Sequence, residues 1–158
     1  MARAPIPSWF FALVIVRLGR RFLLVREKKH GQRWYLPAGR VEPGETLAEG
    51  AIRETLEESG VPIVLDGVVR IEHSPAIDGS ARCRVFFLAR PADDTPPLSS
   101  PNEHSLEARW VTLEELDQLP LRDNEVRAAM AFVLGGGFVA PLSILTVEGA
   151  RWSDGSSR

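Results

Sequence analysis

Apolar residues fall into short blocks along the chain, separated by turn-forming residues, and their period changes from strand-like to helical and back. Trp9–Val16 and Phe22–Val25 are unbroken apolar runs flanking Leu18-Gly19-Arg20, which predicts two paired strands. Residues 1–8, with Pro5 and Pro7, read as an irregular leader. After the polar stretch 26–33, Trp34-Tyr35-Leu36-Pro37-Ala38-Gly39 predicts a short strand running into a turn, and Pro43-Gly44 marks another turn. Thr46 and Glu49 have the spacing of a capping box. Gly60 and Pro62 supply stop signals, so a helix is predicted between them. Val64–His73 and Ala81–Ala89 read as strands around a turn at 75–79.

Residues 91–105, with Pro91, Pro96, Pro97 and Pro101, form a long loop, a feature usually functional or mobile in a compact domain. Leu106–Val111 predicts a strand, and Thr112 with Glu115 repeats the capping-box spacing before a short helix to about Leu119. Asp123 is expected to cap a last helix whose Val126, Met130 and Val133 form a core-facing stripe, ending at Gly135-Gly136-Gly137. The stretch 138–147 is too apolar for a free tail and is expected to pack on the domain or on another subunit. The end of the chain, 148–158, reads as a flexible tail. A single domain over 9–147 accounts for the pattern, with no internal repeat.

Composition narrows the class without naming it. The 158 residues carry 19 Lys+Arg against 21 Asp+Glu, 44% hydrophobic residues and one cysteine. A chain of that size can bury about 70% of its unfolded surface around one core. Cys83 has no internal disulfide partner, and no Cys/His spacing of zinc type is present. The charge of −2 excludes a broad basic footprint, so no DNA-binding element is expected. The eight-residue run Trp9–Val16 falls far short of the ~20 a spanning helix needs, and no small-residue cleavage site follows it. A cytoplasmic location is therefore expected. Oligomeric state is left open, a dimer included.

The charge distribution is more telling than the total. Residues 39–61 hold Glu42, Glu45, Glu49, Glu54, Glu57 and Glu58 against Arg40 and Arg53, a net −4; the remaining residues, with 17 Lys+Arg and 15 Asp+Glu, carry +2. On a helical projection Ala48, Ala51, Ile52, Thr55, Leu56 and Ser59 form an apolar, small-residue arc suited to packing on a sheet. Glu57, Glu54 and Glu58 fall on the other side within about 100° of one another. Glu54 and Glu58 are a like-charge i,i+4 pair, which destabilises a helix by a few tenths (~0.2–0.5) of a kcal/mol, and the helix has no Lys to relieve it. Charge runs are usually solvated faces. Clustered carboxylates without nitrogen or sulfur donors also suit a hard divalent cation such as Mg²⁺ or Mn²⁺.

From Gly39, the segment GRVEPGETLAEGAIRETLEESGV places Glu45 after five residues, Arg53-Glu54 after seven more, then Glu57-Glu58 and Gly60-Val61. This resembles the Nudix box, the motif of the Nudix (MutT-type) hydrolases, with a chance match on the order of 10⁻⁶. Thr55 is the one departure, standing where the family usually has an aliphatic residue. The similarity extends over roughly residues 9–134. It implies an α/β (α+β) fold, a mixed β-sheet sandwiched between helices with the box as a loop–helix–loop. It also implies hydrolysis of a diphosphate bond in a nucleoside diphosphate linked to another moiety, with Mg²⁺ or Mn²⁺ as cofactor and a small nucleotide as substrate.

By that resemblance Glu54, Glu58 and Glu57 are the expected metal ligands, with the backbone carbonyl of Ala38 a further one. Arg53 is expected to orient carboxylates such as Glu45 or Glu57, and Gly39 and Gly60 to permit tight turns. Candidates for the general base are Glu54, Glu57, Glu103 and Glu107, with a surface role the alternative for Glu107. For substrate, Trp34, Arg33 and Arg84 are the leading candidates. Trp34, Tyr35, Phe86 and Trp110 could stack a base, but for each the structural reading is the favoured one. Arg26, Arg33, Arg82 and Arg84 could contact phosphate or simply coat the surface. No catalytic role is expected of His30, His73 or His104. The run WYLPAGRVEPGET is similar to a branch acting on oxidised purine nucleoside diphosphates. The alternative is a non-catalytic nucleotide-binding module regulating a partner; the presence of Glu54, Glu57 and Glu58 argues against such a degenerate box.

Overall fold

A computed structural model describes residues 3–152. Strand β1 (Ser8–Leu18) runs through the middle of the sheet. The Ala12–Val16 part of its apolar run is buried on both faces because each is covered there, whereas Trp9 and Phe10 are exposed. Its first nine residues pair in parallel with β6 (Ala81–Pro91), from Ser8 opposite Ala81 to Val16 opposite Ala89. Its last two residues turn through Gly19 into β2 (Arg21–Glu27), the expected hairpin. Strand β5 (Ile63–Pro75) lies antiparallel outside β6. Strand β7 (Ser105–Val111) lies antiparallel to β2, with an irregularity between Arg26 and Glu27.

The predicted strand at 34–39 is two short strands. β3 (Trp34–Tyr35) pairs with β2, and β4 (Ala38–Arg40) pairs with β1. Pro37 between them has no N–H to donate, and its carbonyl accepts from the Val14 N–H at 2.9 Å.

Helix α1 (Leu47–Ser59) covers one face of the sheet and α2 (Glu125–Leu134) the other. Successive residues of β1 divide between the two cores. Ala12, Val14 and Val16 pack with Leu23, Val25 and Ala51 on the α1 side. Leu13 and Ile15 pack with Phe22, Leu24, Val126, Met130 and Val133 on the α2 side. The mixed sheet between helices is thus the architecture the resemblance implied.

Three local expectations change. Ile52 and Leu56 were expected on the packing arc of α1 but are 40% and 48% exposed. The buried contact is made by Gly50, Ala51, Thr55 and Ser59, whose small side chains let the helix approach so closely that bulkier neighbours stay at the rim. The short helix after β7 is a 3₁₀ turn, Glu114–Gln118, although Thr112 and Glu115 do exchange hydrogen bonds. The loop 91–105 is tied down. Leu98 N–H donates to Ser59 O, Asn102 Nδ2 to Glu57 O at 2.7 Å and Ser105 Oγ to Glu58 O at 2.5 Å, satisfying carbonyls left free at the end of α1.

The apolar stretch 138–147 packs on its own domain: Ala140 bridges Val68 in both directions, and Leu142 and Leu145 join the α1-side core. The leader is irregular over 3–7. Of the tail expected at 148–158, residues 148–152 are exposed and 153–158 lie outside the described residues.

Candidate active site

Helix α1 starts and stops where its end residues demand. Thr46 Oγ1 accepts from Glu49 N–H and the Glu49 carboxylate accepts from Thr46 N–H, closing the capping box, while Gly60 takes the left-handed conformation at φ 73°. This fixed helix carries Arg53 into the centre of four carboxylate contacts. Its Nε and Nη2 grip both oxygens of Glu45 at 2.5 and 3.0 Å. Its Nη1 reaches Glu54 at 3.0 Å and Glu57 at 3.1 Å. The guanidinium holds Glu45 well below the usual carboxylate range, down to about 2.

Glu54 and Glu58 experience the opposite. Burial raises Glu54 despite the Arg53 contact. Burial also pushes Glu58 up to about 8; the Ala38 N–H at 2.9 Å opposes this, while the charges of Glu54, Glu27 and Glu57 add to it. Gly39 lies on β4 beside them and is no turn residue: a Cβ there would fall inside the Glu54 carboxylate. The missing side chain is therefore clearance for Glu54. At Gly60 both reasons apply, since the residue is left-handed and a Cβ would meet Leu98.

Three of these residues, Ala38, Gly39 and Glu58, reach one wall of a cleft of about 390 Å³, with Glu54 directly behind Gly39. Ala38, Gly39 and Glu58 line it from β4 and α1, Glu103 and His104 from the docked loop, and Phe11, Leu13 and Tyr35 from its apolar floor. Glu27, Lys28, Lys29, His30, Arg82, Arg84 and Arg122 complete it. Among the described residues no three His, Cys, Asp or Glu side chains converge as a ready-made ion cage, and Arg53 engages Glu54 and Glu57. The donor set nevertheless fits a hard divalent cation: it is all oxygen, it includes buried and mutually repelling carboxylates, and Gly39 leaves the room that the Glu54 carboxylate occupies.

The NUDIX domain family model matches residues 10–132. The chain belongs to the Nudix hydrolase family. Over 107 residues it is 37% identical to the human 8-oxo-dGDP phosphatase NUDT18, a match spanning 66% of this chain and 32% of that protein. The chain therefore accounts for about a third of the length of that relative. Over 106 residues it is 32% identical to Phosphatase NudJ of Escherichia coli (strain K12), covering 66% of this chain and 68% of the relative. A NUDIX hydrolase from Nitrosomonas europaea superposes with a TM-score of 0.72 at 24% identity, covering 90% of this chain and 99% of that one.

Outside the Nudix box, the substrate candidates scatter. Trp34 is 3% exposed in the α2-side core, with the Arg109 guanidinium 5.1 Å from its ring centroid, and it does not line the cleft. Arg33 is exposed and also absent from the cleft wall. Arg84 does line the cleft, but it is held by Glu72 and Glu125 at 2.5 Å, and Tyr35 Oη donates to the same Glu125. Glu107 pairs with Arg109 at 3.2 Å and Arg26 at 3.5 Å away from the cleft lining.

The cleft also contains residues the sequence reading passed over, chiefly Glu27, Lys28, Lys29 and Arg122. Glu27 Oε1 takes Arg122 at 2.8 Å, and its buried Oε2 has no partner among the described residues. The strand irregularity at Arg26/Glu27 lies next to it, a common device for re-aiming a side chain. The only sequence signal was position, at the end of an apolar strand leading to a polar turn.

Proposed function

We propose that this Nudix hydrolase cleaves a diphosphate linkage in a nucleoside di- or triphosphate or a related derivative, by attack of water on phosphorus in the presence of Mg²⁺ or Mn²⁺. The observation that carries the reading is the carboxylate cluster at one side of the cleft, where Glu58 lines the wall and Glu54 lies behind Gly39, both buried beside like charges. Carboxylates alone would repel a pyrophosphate. A divalent ion bound there supplies charge neutralisation for the phosphate oxygens and an acidified water.

Glu54, Glu58 and Glu57 would hold that ion, with the Ala38 carbonyl adjoining. Arg53 acts by orientation: its bonds to Glu45, Glu54 and Glu57 fix their rotamers, and it faces carboxylates rather than substrate. Glu54, Glu57 and Glu103 are the candidates to take the proton from the attacking water. Glu103 lines the cleft on the docked loop, whereas Glu107 is occupied by two arginines. The apolar floor at Phe11, Leu13 and Tyr35 suits a nucleobase.

An oxidised purine nucleoside diphosphate is the leading substrate, on the similarity to a relative named for 8-oxo-dGDP, and a cytoplasmic setting would suit such a nucleotide pool. The test is a panel of oxidised and normal nucleoside di- and triphosphates, nucleotide sugars and dinucleoside polyphosphates, with Mg²⁺ and with EDTA, products resolved by chromatography. Metal-dependent release of a mononucleotide supports the reading. Full turnover in EDTA, or no turnover of any member, overturns it.

A further inference from the structure

The cations of the cleft divide into two groups. Arg84 and Arg122 are neutralised by carboxylates, Glu72 and Glu125 in one case and Glu27 in the other. Lys28, Lys29 and Arg82 line the same cleft without a carboxylate partner among the described residues. Arg82 lies over the Phe11 ring, its guanidinium carbon 4.4 Å from the centroid, which fixes its plane at the cleft edge and leaves its N–H donors unused.

The two lysines sit on an unusual turn. His30, Gly31 and Gln32 have φ of 54°, 73° and 56°, so three successive residues are left-handed and two of them are not glycine. The two non-glycine residues, His30 and Gln32, are strained by about 1–2 kcal/mol each in that conformation and persist there only where surrounding bonds hold them. Here Gln32 N–H donates to Lys29 O at 3.1 Å, Glu27 N–H to Arg33 O at 3.0 Å, and Arg26 Nε to Gln32 O at 3.1 Å. The turn is therefore a fixed mount rather than a slack lip, and it brings Lys28 and Lys29 to the cleft that Glu58 lines from α1. A diphosphate substrate with its bridging region near the carboxylates has an end that must lie against something.

Resting on the proposed hydrolase reading, we propose that Lys28 and Lys29, with Arg82, clamp the unesterified terminal phosphate of the substrate, so that the cleft prefers nucleoside di- and triphosphates to diphosphates whose far end is esterified to a sugar. A terminal phosphate brings up to two charges and three acceptor oxygens to this cluster. An esterified phosphate brings one charge and a bulky uncharged group that gains nothing from ammonium groups.

GDP and GDP-mannose separate the two cases, because they share base, ribose and diphosphate and differ in the terminal ester. Their Kd values are measured by calorimetry with Ca²⁺ in place of Mg²⁺, and their KM values with Mg²⁺. Wild-type protein is expected to favour GDP by about tenfold or more, a preference that weakens with added salt. The Lys28→Gln/Lys29→Gln double variant is expected to bind GDP about tenfold more weakly and GDP-mannose within about twofold of wild type. Lys28→Arg/Lys29→Arg should restore the preference, which a merely structural role of the turn would not require. Equal losses for the two ligands, or no loss for GDP, overturn the clamp. Lysine-dependent GDP binding without any turnover would leave the clamp standing and overturn the hydrolase reading. Metal-dependent turnover indifferent to the lysines would do the reverse.

Discussion

Glu58 shows how one side chain can link pH, metal and stability. Its carboxyl is pushed up to about 8 by burial and neighbouring negative charge, against 4.5 when exposed in the unfolded chain. Between those values the folded protein holds a proton that the unfolded chain has released. The contribution of Glu58 to the stability of the metal-free protein therefore falls as pH rises from about 4.5 to about 8 and then levels. A divalent ion must displace that proton, so metal affinity should climb over the same range. Thermal melts of wild type and Glu58→Gln in EDTA across this range check the assignment: the variant should lack this component of the decline. It should also lose on the order of 10²-fold in turnover. Parallel melting profiles would place the penalty elsewhere. Gly39 gives a second test at this scale. Gly39→Ala should displace the Glu54 carboxylate, whose space the new Cβ would take, and lower turnover by on the order of 10²-fold with little change in melting temperature. Unaltered turnover would mean that Glu54 can move without consequence.

Helix α1 is a unit whose ends decide where its face points. The Thr46–Glu49 box fixes its start, and Gly60, Asn102 and Ser105 satisfy its end. Thr46→Ala should destabilise the protein by about 1 kcal/mol in urea unfolding, the typical value of a lost N-cap. A loss near zero would mean that Glu49 or water replaces it. The one departure from the family pattern, Thr55, is fully buried; its hydroxyl donates to Ala51 O at 2.8 Å, so the polar atom is satisfied within the helix. The segment 91–105 reads from sequence as structureless because its bonds go to α1 carbonyls some 40 residues earlier. Its proline content signals a loop but cannot reveal where that loop docks.

Across the molecule, an acidic pole on α1 faces cations carried by the β2–β3 turn and β6, and the cleft lies between them. Binding of Mg²⁺ to the folded state alone should raise stability by about 2.7 kcal/mol when free metal is 100 times Kd, a melting shift of roughly 5–10 °C. Calorimetric scans with and without Mg²⁺ would check this, and a shift unchanged in Glu58→Gln would place the ion elsewhere. Much of this was legible in one dimension. The capping signals and the apolar runs are local, because a helix and a hairpin are specified by neighbours a few residues apart, and they gave elements compatible with the fold. The box spacing carried the family, and the fold followed from that resemblance. The roles of the cations were not local. Arg82 and Arg84 are two residues apart on one strand, yet Arg84 is neutralised by Glu72 and Glu125, 12 and 41 residues distant, while Arg82 lies over the Phe11 ring with no carboxylate partner among the described residues. Trp34 takes the structural one of its two sequence readings and is core, because β3 pairs with β2 inside the α2-side layer. Sequence by itself determined which carboxylates share a helix face. Only the tertiary structure decided which charges oppose them, since pairing energy depends on through-space distance and burial rather than on separation along the chain.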